Sequence, residues 1–183
     1  MRYASAHNFV GRRIDGYERP LCLLTPQAAQ ALARVQQDLR PQGLGLKVYD
    51  CYRPRRAVAD FAGWARDLSD QTTKAEFYPD VDKRDLFREG YIAERSGHSR
   101  GSTLDLTLVD RSGRELDMGT GHDLFSPRSW PGDRTVSLQA QDNRRRLAEA
   151  MARRGFAPYD KEWWHFTLAA EPHPDEYFDF PVR

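Results

Sequence analysis

The sequence has almost no net charge and no long hydrophobic run. Its 183 residues include 28 Lys and Arg against 27 Asp and Glu, which gives a net charge of +1. A chain so balanced has no overall field to attract nucleic acid or an anionic membrane surface. No apolar stretch approaches the roughly 20 residues that a membrane-crossing helix requires. We therefore expect neither a nucleic-acid partner nor a membrane partner.

Cysteine and targeting signals are equally scarce. The two cysteines, Cys22 and Cys51, form no C-x-x-C pair and are not candidates for metal ligands. Residues Met1 to Asn8 lack the apolar core of a signal peptide, which predicts a cytoplasmic protein. In that compartment a disulfide is disfavoured, so both thiols are expected to be reduced, buried and inert.

The chain carries periodic patterns for helices and strands, and its length fits one domain over residues 1–183. Thr25-Pro26 is typical of a helix start, and strict alternation after Gly101 is typical of a strand. The order of elements predicts an α+β fold with a small antiparallel sheet packed against helices. In order, we predict a helix from Pro26 to just before Pro41, a strand over 44–52, a helix after Pro54, a surface loop over 69–84, a short helix over 85–94, a strand after Gly101, a hairpin partner over 114–118, a helix over 139–154 and a strand over 163–168.

The triplet Arg144-Arg145-Arg146 is the densest positive run in the predicted third helix. Successive residues of a helix point in different directions, so the triplet does not form a single basic patch. We interpret it as a solvated face rather than a nucleic-acid site.

Two segments carry metal-ligating residue types. His98 lies seven residues before Asp105, with Gly97 and Gly101 between or beside them, and Glu162 lies three residues before His165. Two imidazoles and a carboxylate are the ligands of a catalytic zinc site that keeps one position open for water. The spacing is looser than a helical H-E-x-x-H motif, so solvated side chains are the alternative. His7 and His173 have no such neighbours and are expected to be ordinary histidines.

For two further residues, local backbone geometry decides whether the side chain points into the site or into solvent. On a regular strand an offset of three puts Glu162 and His165 on opposite faces, so Glu162 must lie on a bend at the strand entrance to join His165. The alternative is a solvated glutamate beside Lys161. Arg53 sits at a strand-to-helix junction, where it either points into a cleft or is solvated beside its arginine neighbours.

Several motifs together resemble the M15 zinc peptidases, and within them the D-alanyl-D-alanine dipeptidase branch, the VanX-type enzymes. The resemblance spans nearly the whole chain, with the motifs in the family's order. The matching segments are Tyr3-Ala4 to Asn8-Phe9, Asp15-Gly16-Tyr17, Asp50-Cys51-Tyr52-Arg53-Pro54, Ser96 to Leu108, Asp117-Met118-Gly119-Thr120 and Gly155-Phe156 leading into Glu162 to Thr167.

The resemblance implies zinc-dependent hydrolysis of D-alanyl-D-alanine to two D-alanines. His98, Asp105 and His165 would bind one zinc ion per chain. Glu162 would be the general base that takes a proton from the metal-bound water and passes it to the leaving amine. Arg53 would stabilise the tetrahedral oxyanion.

The resemblance also implies substrate contacts. Ser96, Asp123 and Tyr3 would hold the dipeptide, with Asp123 paired to its free ammonium group. An aromatic residue is usual in the family where His122 stands, so the shape of the amine pocket and the substrate preference stay open. His122 itself is not needed as a ligand, because the other three complete the set.

Two alternatives remain at this point. One is another M15 activity, a cell-wall carboxypeptidase or endopeptidase, which would need an open groove and export. The other is a zinc-stabilised binding module without turnover, which would need neither Glu162 nor Arg53. The sequence leaves open whether the role is antibiotic resistance, D-alanine recovery or wall turnover, and whether the chain forms a homo-oligomer.

Overall fold

The computed structural model describes residues 1–183 and shows a four-stranded antiparallel sheet packed against helices. The strand order is β1-β2-β4-β3. The predicted α+β fold is confirmed. The elements are α1 (Pro26–Leu39), β1 (Gly45–Asp50), α2 (Arg55–Arg66), α3 (Lys74–Phe77), β2 (Thr103–Val109), α4 (Leu138–Ala152), β3 (Phe156–Tyr159) and β4 (Glu162–Leu168), with five short 3-10 turns at Arg2–Ala4, Arg40–Gln42, Lys83–Asp85, Gly97–Arg100 and Pro127–Ser129.

The two long helices that flank the sheet begin at side-chain caps. Thr25 accepts a hydrogen bond from the Ala28 amide at the start of α1, and Ser137 accepts one from the Ala140 amide at the start of α4. Such caps satisfy amide groups that the first helical turn leaves unpaired. The cap and the Pro26 start of α1 agree with the sequence-based prediction.

The register of the sheet determines where the functional side chains lie. Asp50 of β1 pairs with Asp105 of β2, and Asp105 pairs with His165 of β4. A shift between Val48 and Asp50 locally interrupts the β1–β2 register. Since neighbouring strands lie about 4.8 Å apart, this register brings three polar residues side by side on one sheet face.

Two hydrophobic clusters lie around this polar row. One contains the leucines of β2 with residues of α1 and α4, among them Leu106 and Leu147. The other joins the N-terminal segment, α2 and residues 77–92, and includes Tyr3 and Phe61. Their burial provides the main driving force for bringing these distant segments together.

The N-terminal segment is held by residue 182. Tyr17 forms a parallel bridge with Val182, the amide of Val182 donates to the Gly16 carbonyl, and the Val182 carbonyl accepts from two amides, those of Glu18 and Arg19. Val182 is fully buried. The segment that carries Tyr3 is therefore fastened to residues near the other end of the sequence.

Three predicted elements are wrong in detail, and one strand was not predicted. Residues 85–94 form turns rather than a helix, because Gly90 has φ +78° and the buried Leu86 and Ile92 are not at helical spacing. The predicted surface loop contains α3, and β3 was not predicted. Residues 114–118 contribute only an isolated bridge from Glu115 to Val109.

The cysteines also differ from expectation, because Cys22 and Cys51 form a disulfide. Cys51 is fully buried at the end of β1, whereas Cys22 is exposed. The bond joins the segment before α1 to the residue that follows β1. The prediction of two reduced, buried thiols is therefore wrong, because a pairing between distant segments leaves no motif in the sequence.

The arginine triplet is only partly solvated. Arg144 is 2% exposed, and its guanidinium donates to the carbonyls of Met118, Arg128 and Trp130 and to the hydroxyl of Thr120, at 2.7–3.4 Å. Arg145 and Arg146 lie on the surface, in ion pairs with acidic side chains of α4. The solvated interpretation is thus wrong for Arg144, which fastens the loop after β2 to α4.

None of the helices combines the length and the apolar character needed to span a bilayer.

We predict that reducing the disulfide destabilises the protein. The bond joins residues 29 apart, and closing a loop of that size contributes about 3–4 kcal/mol in the chain-entropy model. Reductant should lower the free energy of unfolding, measured by chemical denaturation, by that amount. Cys22→Ser should show the loss without reductant and no further response to it. Two free thiols in denatured, unreduced protein would contradict the bond.

Arg144→Met should lower the free energy of unfolding by roughly 3 kcal/mol. The change removes a buried charge and leaves buried carbonyls without donors. Arg145→Met is the matched control on the same helix, and it removes only exposed ion pairs, so its loss of stability should be much smaller. Equal losses of stability in the two variants would show that the buried contacts of Arg144 stabilise the protein no more than the exposed ion pairs of Arg145.

Candidate metal centre and substrate cavity

Three predicted ligands converge where β2, β4 and a short turn meet. His98 lies in the 3-10 turn Gly97–Arg100, and the Ser96 hydroxyl caps this turn by accepting a hydrogen bond from the His98 amide. Gly101 follows with φ +78°, a conformation that glycine adopts without strain, and turns the chain into β2. Asp105 and His165 are paired across β2 and β4. Local turn chemistry and strand register together thus assemble the group.

The ligand atoms are close enough to share one ion. His98 Nε2 lies 3.4 Å from Asp105 Oδ1, His165 Nδ1 lies 3.2 Å from the same oxygen, and the two nitrogens are 3.3 Å apart. A tetrahedral ion with bonds of about 2.0–2.1 Å keeps its ligand atoms about 3.3 Å apart. These three residues therefore form a group that can hold a metal ion.

The surroundings of the ligands support the same interpretation. His98 Nδ1 lies 2.7 Å from the Cys51 carbonyl oxygen, so it donates there and leaves Nε2 free for a metal. Asp105 Oδ1 is buried without a hydrogen-bond partner. Burial alone would raise the pKa of Asp105, but the surrounding imidazoles outweigh it and hold the pKa well below its usual value. A buried anion of this kind favours a cation.

Glu162 lies beside the ligand group, at the irregular entrance to β4. It is the first residue of the strand and pairs with Tyr159 where the β3–β4 register shifts. Its Oε2 lies 3.4 Å from His165 Nδ1, and its side chain is 17% exposed, so it is not a solvated glutamate. Burial raises the pKa of Glu162 to about 7; the His165 imidazole opposes this shift, and the carboxylates of Asp105 and Asp123 add to it. A carboxyl with this pKa suits proton transfer at neutral pH.

Arg53 points into the same space. Its Nε donates to Asp50 Oδ2 at 2.9 Å, Nη2 lies 3.7 Å from Asp105 Oδ2, and its guanidinium lies over the rings of Tyr3 and Phe61. Burial disfavours its charge, but Asp50 and its other neighbours keep the pKa of Arg53 above its ordinary value. The alternative of a solvated arginine is excluded.

The predicted substrate contacts lie next to these groups. The Tyr3 hydroxyl donates to both carboxylate oxygens of Asp123, at 3.0 and 3.2 Å. Asp123 is the one non-glycine residue with a positive φ, +64°, a strained conformation of the kind found at functional sites. Burial raises the pKa of Asp123. The Ser96 hydroxyl lies 3.5 Å from Arg53 Nη1.

All of the sequence-predicted site residues line one cavity of about 300 Å³. This volume is at the small end of ligand pockets, which run from about 300 to 1,000 Å³. The rest of its wall includes Phe9, Phe125, Tyr159 and the turn residues 90–93, which sequence reasoning did not assign to the site. The predicted residues in the wall are Tyr3, Arg53, Ser96, His98, Asp105, Asp123, Glu162 and His165.

Sequence reasoning also missed Asp50. Its fully buried carboxylate accepts from Tyr17 at 2.6 Å and from Arg53, and lies 3.6 Å from His98 Nδ1. The available signal was its position three residues before Arg53, at the end of a strand. His7 and His173 pair with surface glutamates instead, and both lie away from the site, as expected.

His122 is buried between Asp105 and Asp123 and does not line the cavity. Burial disfavours its charged form, yet the two carboxylates raise the pKa of His122 above its ordinary value. It is not one of the three clustered ligand residues.

Comparison with known proteins shows the family of the chain. The family model described as Peptidase_M15, D-ala-D-ala dipeptidase, matches residues 1–183. A D-alanyl-D-alanine dipeptidase of Streptomyces coelicolor is 47% identical over 182 residues, which cover 99% of this chain and 90% of the relative. One of Enterococcus faecium is 41% identical over 183 residues, covering 100% of this chain and 91% of the relative.

The similarity to solved structures is more distant. The structure of VanYB in complex with D-Alanine-D-Alanine matches with a TM-score of 0.48 and 13% identity, over 86% of this chain and 82% of that one. At this level the match carries no argument about the site. The family model and the two relatives span nearly the whole chain, and on that ground the protein belongs to the D-ala-D-ala dipeptidase family of M15 peptidases and is a hydrolase.

Proposed function

We propose that the protein hydrolyses D-alanyl-D-alanine to two D-alanines, with His98, Asp105 and His165 holding one zinc ion per chain. The observation that carries the proposal is the shared cavity. Ligand atoms at the mutual distances of a tetrahedral ion open into the same small space as the carboxylates of Glu162 and Asp123. The proposal thereby assigns the activity for which the relatives are named to particular groups of this chain.

In the proposed reaction, the scissile peptide bond of the substrate lies between the three ligand residues and Glu162. Zinc bound there would polarise the scissile carbonyl and lower the pKa of water to about 7. Its positive charge would also lower the pKa of Glu162 and favour the carboxylate. Glu162 then accepts a proton from the attacking water and gives it to the nitrogen of the leaving amine. This transfer needs a base within hydrogen-bond reach, which the cavity position of Glu162 provides.

Arg53 stabilises the charge that develops on the carbonyl oxygen. Its guanidinium is fixed by Asp50 and by the aromatic rings beneath it, so it does not reorganise during the reaction. A fixed positive group at a developing oxyanion lowers the barrier more than a mobile one. Asp50 is therefore a positioning residue for Arg53.

The other end of the cavity recognises the free amine. Asp123, held by the Tyr3 hydroxyl, pairs with the substrate ammonium group, and Ser96 contacts the dipeptide near Arg53. A buried carboxylate requires a cationic partner, so the site favours a free N-terminus over an acylated one. The small cavity volume suits a substrate of about two residues.

We further infer that residues 1–183 form one catalytic domain, because both hydrophobic clusters contribute neighbours to the site. The cytoplasmic location stays a prediction. The Cys22–Cys51 bond bears on it, since disulfides persist mainly in oxidising compartments. Counting the free thiols of protein that is alkylated directly in cells decides between a reducing cytoplasm and an oxidising compartment.

We predict cleavage of D-Ala-D-Ala and little cleavage of N-acetyl-D-Ala-D-Ala. Acetylation removes the cation that Asp123 would pair with, and losing one partner of a buried charge pair should lower kcat/KM by roughly 10²-fold or more. D-alanine release measures both rates. Efficient cleavage of the acetylated peptide would indicate a carboxypeptidase instead, and bound zinc without any cleavage would indicate a binding module.

Glu162→Ala should retain zinc and lose activity. Removing a general base lowers kcat by about 10²-fold or more while leaving the three ligand residues in place. Zinc per chain, measured by elemental analysis, should stay at one. Glu176→Ala is a matched control, since that glutamate pairs with His173 on the surface. Loss of the metal together with retained activity after zinc is restored would contradict the assigned role.

A further inference from the structure

His122 is a buried imidazole that the proposed reaction does not use. Its side chain is 1% exposed and lies between two aromatic rings, with ring centroids 4.4 Å from Tyr49 and 5.1 Å from Trp164. Such packing fixes the plane of the ring. Both ring nitrogens are buried without a partner in hydrogen-bond geometry. Buried polar groups without a partner are costly, so each nitrogen requires a partner nearby; with an N–H on both nitrogens, as in the imidazolium form, both partners must be acceptors.

The nearest charged oxygen to each nitrogen belongs to a different carboxylate. Nε2 lies 3.6 Å from Asp105 Oδ2, and Nδ1 lies 3.3 Å from Asp123 Oδ2. Hydrogen bonds at active sites are often long before ligands bind and shorten in the complex. A small movement of each carboxylate towards the ring therefore completes its own contact.

The two carboxylate oxygens of Asp105 face different groups. Asp105 Oδ1 faces the imidazoles of His98 and His165, whereas Oδ2 faces His122 and Arg53. A donor on Oδ2 thus fixes the rotation of the carboxylate and keeps Oδ1 aimed at the ligand group. On Asp123, His122 adds a second donor to that of Tyr3.

We propose that His122 is a positioning residue that ties the metal-binding carboxylate Asp105 to the amine-binding carboxylate Asp123, with one ring nitrogen for each. This inference rests on the proposed function. It adds that a single rigid ring sets the spacing between the metal and the substrate ammonium group. The site accordingly selects the distance between a free amine and the scissile carbonyl.

Three substitutions separate the two contacts. In Asn the amide nitrogen occupies the place of Nδ1, so His122→Asn keeps a donor for Asp123 and loses the one for Asp105. In Gln it reaches the place of Nε2, so His122→Gln does the reverse. His122→Phe keeps a ring and loses both donors. Tyr49→Phe is the matched control, because it keeps the ring against His122 and removes only the hydroxyl bonded to Glu115.

Two measurements report the two contacts. Zinc affinity, from competition with a chromophoric chelator, should fall about 10- to 100-fold in His122→Asn and His122→Phe, the usual range for losing a partner of a metal ligand. KM for D-Ala-D-Ala at saturating zinc should rise about tenfold in His122→Gln and His122→Phe. His122→Gln should keep its zinc affinity and His122→Asn its KM. Tyr49→Phe should change neither.

A third readout is the selectivity of the enzyme for the distance between the substrate amine and the scissile carbonyl. β-Alanyl-D-alanine places one additional methylene between the amine and the scissile carbonyl. The ratio of kcat/KM for D-Ala-D-Ala over this peptide should fall several-fold in His122→Gln and His122→Phe, because Asp123 is then less firmly placed.

The outcomes distinguish failure of this inference from failure of the proposed function. Equal changes in His122→Asn and His122→Gln, or none in either, would overturn the bridging role while wild-type zinc binding and cleavage keep the proposed function intact. If Phe prevents folding, checked by circular dichroism, the Asn and Gln pair alone decides. A wild-type protein that binds no zinc, or whose zinc affinity is unchanged by Asp105→Asn, would overturn the proposed function itself.

Discussion

The buried carboxylate of Asp105 is the constraint on which the site depends. Placing a carboxylate at 2% exposure is costly unless cations or donors surround it. Here one oxygen faces His98 and His165, and the other faces His122 and Arg53. The surrounding groups are thus held together by an anion that each of them stabilises.

This arrangement makes the ligand group rigid before a metal binds. Asp105 lies in the middle of β2, which has hydrogen-bonded neighbours on both sides, and His98 is fixed through the Cys51 carbonyl. A preformed site spends little binding free energy on ordering its ligands. Residues 90–93, which also line the cavity, lie in turns, and among them Ile92 is buried in the same hydrophobic cluster as Phe61 of α2. The cavity wall therefore combines sheet residues with residues of turns.

The sequence was sufficient for the parts of the structure that depend on local patterns. Thr25-Pro26 predicts α1 and the alternation around Asp105 predicts β2, because caps and periodicity act over a few residues. The motif resemblance indicated eight residues that the structure places around one cavity.

The missed features depend on long-range contacts. Cys22 and Cys51 meet only after the segment before α1 packs beside β1, so no spacing rule identifies their bond. Arg144 looks like its solvated neighbours until the loop after β2 supplies carbonyl acceptors. His122 likewise lies between two carboxylates that are close together only in the folded chain.

The fastening of the N-terminal segment by Val182 has a consequence for biosynthesis. Tyr3 reaches the cavity from a segment whose partner, residue 182, is translated long after it. Contacts between such distant residues form late, because the intervening chain must first be ordered. The Tyr3 side of the cavity is therefore completed only after residue 182 has been synthesised, later than β1, α2 and β2. A nascent chain thus carries Asp105 on β2 well before Val182 can hold the segment that carries Tyr3 in place.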